Sequence, residues 1–129
     1  MPTELQILGY AALLQFAQFV LLAGFANTTL GSAYLGGPRD ERQEPEGMTG
    51  RVMRAHDNHL EALALFTIAV LVVVLGDAST ENTVTAAWVY LIARIVYVPA
   101  YMSGIPMVRS LIWAVGQVAT LTMLISALF

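Results

Sequence analysis

The chain has 129 residues, of which 57% are apolar and only 12% charged, with a formal net charge of −3 and a mean hydropathy of +0.68. A charged share about half that of a soluble domain marks an integral membrane protein, and the length predicts one domain over 1–129. The acidic balance argues against nucleic acid as a partner, and the lack of cysteine excludes disulfides, thiolate metal sites and protein-thiol redox chemistry.

The first apolar segment runs from Leu5 to about Leu30. Ala23, Gly24 and Ala26 near its end imitate a signal cleavage site, but the segment lacks a basic leader and outruns a signal core. It therefore reads as an uncleaved anchor. Gln15 and Gln18 share one face of it, and with Gln117 in the last segment they suit hydrogen bonds between helices. The loop Gly36 to Gly47 is rich in glycine, proline and mixed charge. It reads as a solvated connection, with a lid over a site beside Arg54 as the alternative.

The second segment opens on a polar cluster, Arg54-Ala-His-Asp-Asn-His-Leu-Glu61, that runs into the apolar stretch Leu60 to Leu75. Arg54, Asn58 and Glu61 fall at i, i+4 and i+7, so on a helix they share one narrow face. The uncharged run Ala62 to Gly76 is too short to cross a bilayer, which takes roughly 20 residues. The helix spans only by drawing part of the cluster into or against the membrane, where ionisable groups are costly and mark function by default. His56 and His59 stand at i, i+3 with no matching second cluster, so no metal site is expected.

After the short turn Asp77 to Asn82, the third segment runs from Val84 to about Tyr101. Arg94 falls roughly 15 Å along it, near the bilayer middle. A charge there costs at least about 2.5 kcal/mol. Arg94 is therefore expected inside the bundle, paired with Glu61 or Asp57, either as a structural cation or as a ligand contact. Arg94, Tyr97 and Tyr101 repeat helical spacing; an interfacial belt is the alternative for Tyr90, Tyr97 and Tyr101, less so for Tyr97, which lies only a turn from Arg94. Pro99 predicts a kink. Ser103-Gly-Ile-Pro106 is a tight turn, with Pro106 suited to the first helical position of the fourth segment, Pro106 to Phe129. Arg109 in that segment either faces the same site or snorkels as a membrane anchor.

Arg39, Arg42, Arg51, Arg54 and Arg109 lie in or beside the first and last connections, whereas the middle one carries Asp77 and Glu81 but no arginine. Positive loops stay inside, which predicts both termini outside the cytoplasm, in the inner membrane if the source is bacterial. The fold class is all-α, an integral membrane four-helix up-and-down bundle in contact with the lipid bilayer. Arg54, Asn58, Glu61, Tyr97, Tyr101 and Arg109 all fall in its cytoplasmic half. Cations, an amide, a carboxylate and phenols together suit a small zwitterionic ligand with more than one carboxylate.

These residues carry a family resemblance over essentially the whole chain. Arg54-Ala-x-x-Asn58-x-x-Glu61, Ala93-Arg-Ile-Val-Tyr97 with Tyr101, and Arg109 resemble the signatures of the membrane-associated proteins in eicosanoid and glutathione metabolism. Gly-Ile-Pro-x-x-Arg and Trp113 are most similar to its small bacterial branch. The resemblance implies a homotrimer with glutathione as co-substrate, bound between protomers by Arg54, Asn58, Glu61, Tyr97 and Tyr101. It also implies that Arg109 stabilises the thiolate, and that hydrophobic electrophiles or lipid hydroperoxides arrive from the membrane. Members that use leukotriene substrates carry tyrosine where this chain has Ala62, and the arginine some members place late in the first helix has no counterpart here. The function expected is a glutathione-dependent transferase or peroxidase. The alternatives are a non-catalytic lipid-binding or scaffold protein of the same fold, and a small transporter, disfavoured because the first helix holds no carboxylate beyond Glu4.

Overall fold

Long apolar segments in a membrane have no water to satisfy their backbone, so each must close its hydrogen bonds internally as a helix. In the computed structural model, which describes residues 1–40 and 43–129, the chain forms α1 (Thr3–Thr29), a short α2 (Ser32–Gly36), α3 (Gly47–Leu75), α4 (Glu81–Met102) and α5 (Pro106–Leu128). No strand occurs among the described residues. Glu41 and Arg42, part of the loop read as a solvated connection, lie outside them. α1, α3, α4 and α5 are each long and apolar enough to cross a membrane.

The helix boundaries have local causes. α3 begins at Gly47, well ahead of its apolar run, so the whole polar cluster is helical. α4 begins with a reciprocal cap in which the Thr80 hydroxyl accepts from the Thr83 amide at 3.2 Å and the Thr83 hydroxyl accepts from the Thr80 amide at 2.8 Å. Pro106 occupies the first turn of α5, where its missing N–H costs nothing. α4 continues past Pro99 to Met102. It closes through Gly104 at φ 76°, a conformation that favours glycine. From α3, Arg51 donates to the Met102 carbonyl at 3.2 Å, the kind of cation a helix C-terminus attracts. A Cβ on Gly104 would stand 2.9 Å from that guanidinium carbon, a flexible side-chain end that can shift, so the positive φ is what calls for glycine.

α4 packs most extensively on α5, and α1 on α3. The core between them joins Ile7 and Ala11 of α1, Phe66 and Val70 of α3, Ala87 and Tyr90 of α4, and Ala119 and Met123 of α5. Alanines let the backbones approach, as membrane helix packing requires. Tyr90 is fully buried and stacks on Phe66 with ring centroids 3.8 Å apart, so it is a core residue and not part of an interfacial belt. Outward faces carry Leu13, Phe16, Val20, Ile68, Ile92, Leu111 and Val118, each more than half exposed. Faces that apolar are stable against hydrocarbon and not against water, so this is an integral, multi-pass membrane protein.

Glu4 is tied into the bundle, which its place near the start of the sequence does not suggest. Its Oε1 accepts from Ser79 and Thr83 hydroxyls, both at 2.6 Å, and the residue is fully buried. The start of α1 is thereby fastened to the α3–α4 turn. Gln15 reaches across to His59 of α3, the interhelical bond expected of it. Gln18 instead turns back to the Leu14 carbonyl of its own helix at 3.5 Å, an acceptor always within reach one turn away.

Candidate functional site

At the end of the bundle opposite Glu4, three helix segments bring polar residues together. α3 contributes Arg54, Asp57, Asn58 and Glu61, the C-terminal part of α4 contributes Tyr97 and Tyr101, and the first turns of α5 contribute Arg109, Ser110 and Trp113. They line one cleft of about 400 Å³. All six residues singled out for binding or catalysis from the sequence are in this set. Sequence reasoning left out Ser110 and gave Asp57 and Trp113 no role in the site. Helical spacing could have found them, because Asp57 follows Arg54 at i+3, Trp113 follows Arg109 at i+4, and Ser110 precedes Trp113 by three.

Tyr101 is the hub of the cationic side. Its hydroxyl accepts from Arg54 Nε at 3.2 Å, and the Arg109 guanidinium carbon stands 4.6 Å from its ring centroid. A guanidinium over an aromatic face is held without consuming its hydrogen-bond donors, so Arg109 keeps its N–H groups for the cleft. Tyr97 meets Tyr101 edge-on at 5.7 Å. Both tyrosines are buried, against the alternative that they form an interfacial belt. Arg109 is half-buried against Tyr101 and lines the cleft, which is the first of its two expected placements and not that of a free headgroup anchor.

Arg94 is only 1% exposed, so it lies inside the bundle as expected, but its partner differs. It pairs with neither Glu61 nor Asp57. Its Nη1 donates to Asn58 Oδ1 at 3.0 Å, and its guanidinium carbon lies 4.2 Å from the Tyr97 centroid. The reason is rotational: Glu61 and Asp57 point away from the helix core and are exposed, whereas Asn58 sits at the seam and reaches inward. Asp57, with its side chain 61% exposed, contacts His56 at 3.2 Å instead.

His59 is directed away from the cleft, fully buried against Gln15. Among the described residues no group of three or more candidate metal ligands occurs. Ala62 is 5% exposed and packs in the core.

The arrangement sets two guanidiniums, two carboxylates, an amide and two phenols around a space open to one side. Such a cleft can bind a zwitterion bearing several carboxylates and hold an anionic atom beside Arg109. The family model described as the MAPEG family matches residues 7–129. No curated protein and no solved structure matches the chain.

Proposed function

Since the chain belongs to the MAPEG family, a membrane-bundle family that includes glutathione transferases and peroxidases as well as non-catalytic members, we propose that it is a glutathione-dependent transferase or peroxidase. Its substrates in this reading are hydrophobic electrophiles or lipid hydroperoxides dissolved in the bilayer. The observation that carries it is the convergence of Arg54, Asn58, Glu61, Tyr97, Tyr101 and Arg109 on a single cleft.

Glutathione supplies a thiol that is nucleophilic as the anion. Arg54 and Arg109 oppose its two carboxylates and sulfur, Glu61 suits its ammonium, and Asn58 offers an amide donor. A free thiol titrates near pH 8.5, and a guanidinium beside it favours the thiolate at neutral pH. Arg109 takes that role here because its donors remain available over the Tyr101 ring. Tyr97 and Tyr101 wall the cleft and keep it from the core.

The same cleft supports a homotrimer. Arg54 and Glu61 are exposed on the outer face of α3 in the single protomer. A carboxylate facing hydrocarbon is costly, and a neighbouring protomer laid over this face would enclose it and complete the pocket. The arginines gathered at this end support a cytoplasmic opening, with both termini on the other side of the membrane. A non-catalytic, lipid-binding or scaffold role is the second reading, favoured by the absence of any arginine before Arg39 and so of a basic contact from α1.

Glutathione binding to the purified protein in detergent tests the proposal, with Arg54→Ala and Arg109→Ala beside wild type. Arg54→Ala should weaken binding about tenfold or more, the worth of one charge-assisted contact. Arg109→Ala should still bind but show no thiolate absorbance, which the cysteine-free chain does not obscure. No binding by wild type at millimolar glutathione would leave the scaffold reading.

A further inference from the structure

Arg94 is an expensive residue with few partners. It is buried at mid-helix in α4, and among the described residues its Nε and Nη2 have no hydrogen-bond partner and no carboxylate pairs with it. A leucine or methionine would fill the same volume without the cost of a buried cation. Arg94's aliphatic stem runs past Gly116 of α5, where a Cβ would lie in ordinary contact 3.8 Å from its Cδ. Its contacts are also selective: the Asn58 amide and the Tyr97 ring both belong to residues of the cleft.

The chemistry of the Asn58 contact is directional. A guanidinium has donors and no acceptor, so the amide must turn its oxygen towards Arg94. With Oδ1 engaged in the interior, Nδ2 is the amide atom left for the cleft that Asn58 lines. Asn58 is thereby made a pure donor at that point. The cation over the Tyr97 face likewise sets the ring, which meets Tyr101 edge-on at 5.7 Å, and Tyr101 in turn receives the Arg54 bond.

We propose that Arg94 is a positioning residue, holding Asn58 Oδ1 and the Tyr97 ring from behind so that the cleft presents an amide donor to an acceptor oxygen of the bound thiol peptide. This rests on the glutathione reading above and adds to it a residue that never touches the ligand. Arg94 acts through Asn58, so the two residues share one contribution to binding and are not independent. Lysine can donate to the same oxygen but lacks the planar group that covers Tyr97, so it replaces only part of the function.

The test is a double-mutant cycle on glutathione affinity, measured by calorimetry on the purified protein in detergent, with Arg94→Gln, Asn58→Ala and the pair. Each single variant should bind about tenfold more weakly, and the double variant should bind no more weakly than the worse single. The thiolate fraction of bound glutathione should stay at the wild-type level in Arg94→Gln, since Arg109 is untouched. A merely structural role for Arg94 would not produce that split. Arg94→Lys should lie between wild type and Arg94→Gln. If Arg94→Gln does not fold, Arg94→Lys takes its place in the cycle and the same criterion applies. Penalties that add in the double variant overturn the proposal while leaving the glutathione reading intact. Failure of wild type to bind glutathione overturns both.

Discussion

Replacing Glu4 with alanine probes the end of the bundle remote from the cleft. The carboxylate accepts two hydroxyl hydrogen bonds of 2.6 Å, from the α3–α4 turn and from the first turns of α4. A hydrogen bond to a charged group contributes about 1.5–3 kcal/mol net. The full sum is not lost in Glu4→Ala, for three reasons. Ser79 is exposed and its hydroxyl returns to solvent, Thr83 keeps its 2.9 Å bond to the Thr80 carbonyl, and the unpartnered Oε2 of Glu4 disappears with the side chain. The remaining penalty is about 2 kcal/mol. Glu4→Gln keeps an acceptor oxygen in the same place without the charge, which halves the bond strength and leaves about 1 kcal/mol. Unfolding by dodecyl sulfate titration in mixed micelles, followed by far-ultraviolet circular dichroism, would measure both. Glutathione affinity should not change in either variant. An alanine variant within about 0.5 kcal/mol of wild type would place Glu4 among ordinary surface residues and refute the argument. So would a glutamine variant as damaging as alanine.

Gly116 faces Arg94 and Tyr90 with space for one methyl group, the nearest atoms to a built Cβ lying at 3.8–4.0 Å. Gly116→Ala should therefore fold and bind glutathione as wild type does, whereas Gly116→Leu should cost about 1–3 kcal/mol by overpacking and weaken glutathione binding through the displaced Arg94. The same unfolding and calorimetric measurements would show it. Gln15 and His59 form one bond across α1 and α3, so Gln15→Leu and His59→Leu should each destabilise by about 0.6–1.7 kcal/mol. Their double variant should be no worse than either, and additive losses in the unfolding titration would show that the two side chains do not depend on each other.

Much of the architecture is legible without coordinates, because a bilayer allows so few solutions. Apolar runs from Leu5, Leu60, Val84 and Pro106 could only become helices, and the i, i+4, i+7 spacing put Arg54, Asn58 and Glu61 on one face before their surroundings were known. Charge near the bilayer middle likewise required Arg94 to turn inward. What periodicity could not supply was rotation of one helix against another. That alone decided that Arg94 meets the amide of Asn58 and not a carboxylate, since the two acidic side chains lie a fraction of a turn further out. It also decided that Tyr90 stacks on Phe66, and that His59 pairs with Gln15 instead of facing the cleft.

Glu4 is the plainest case of the division. By sequence it is a lone acid in the first turn of a helix, and its partners lie 75 and 79 positions away. Local order along the chain determines which segments are helices and which faces are polar, because both depend on neighbours within two turns. Which polar atoms answer one another depends on helix rotation and relative height, which are set by packing small residues against each other across the whole bundle. Only the tertiary structure holds that information.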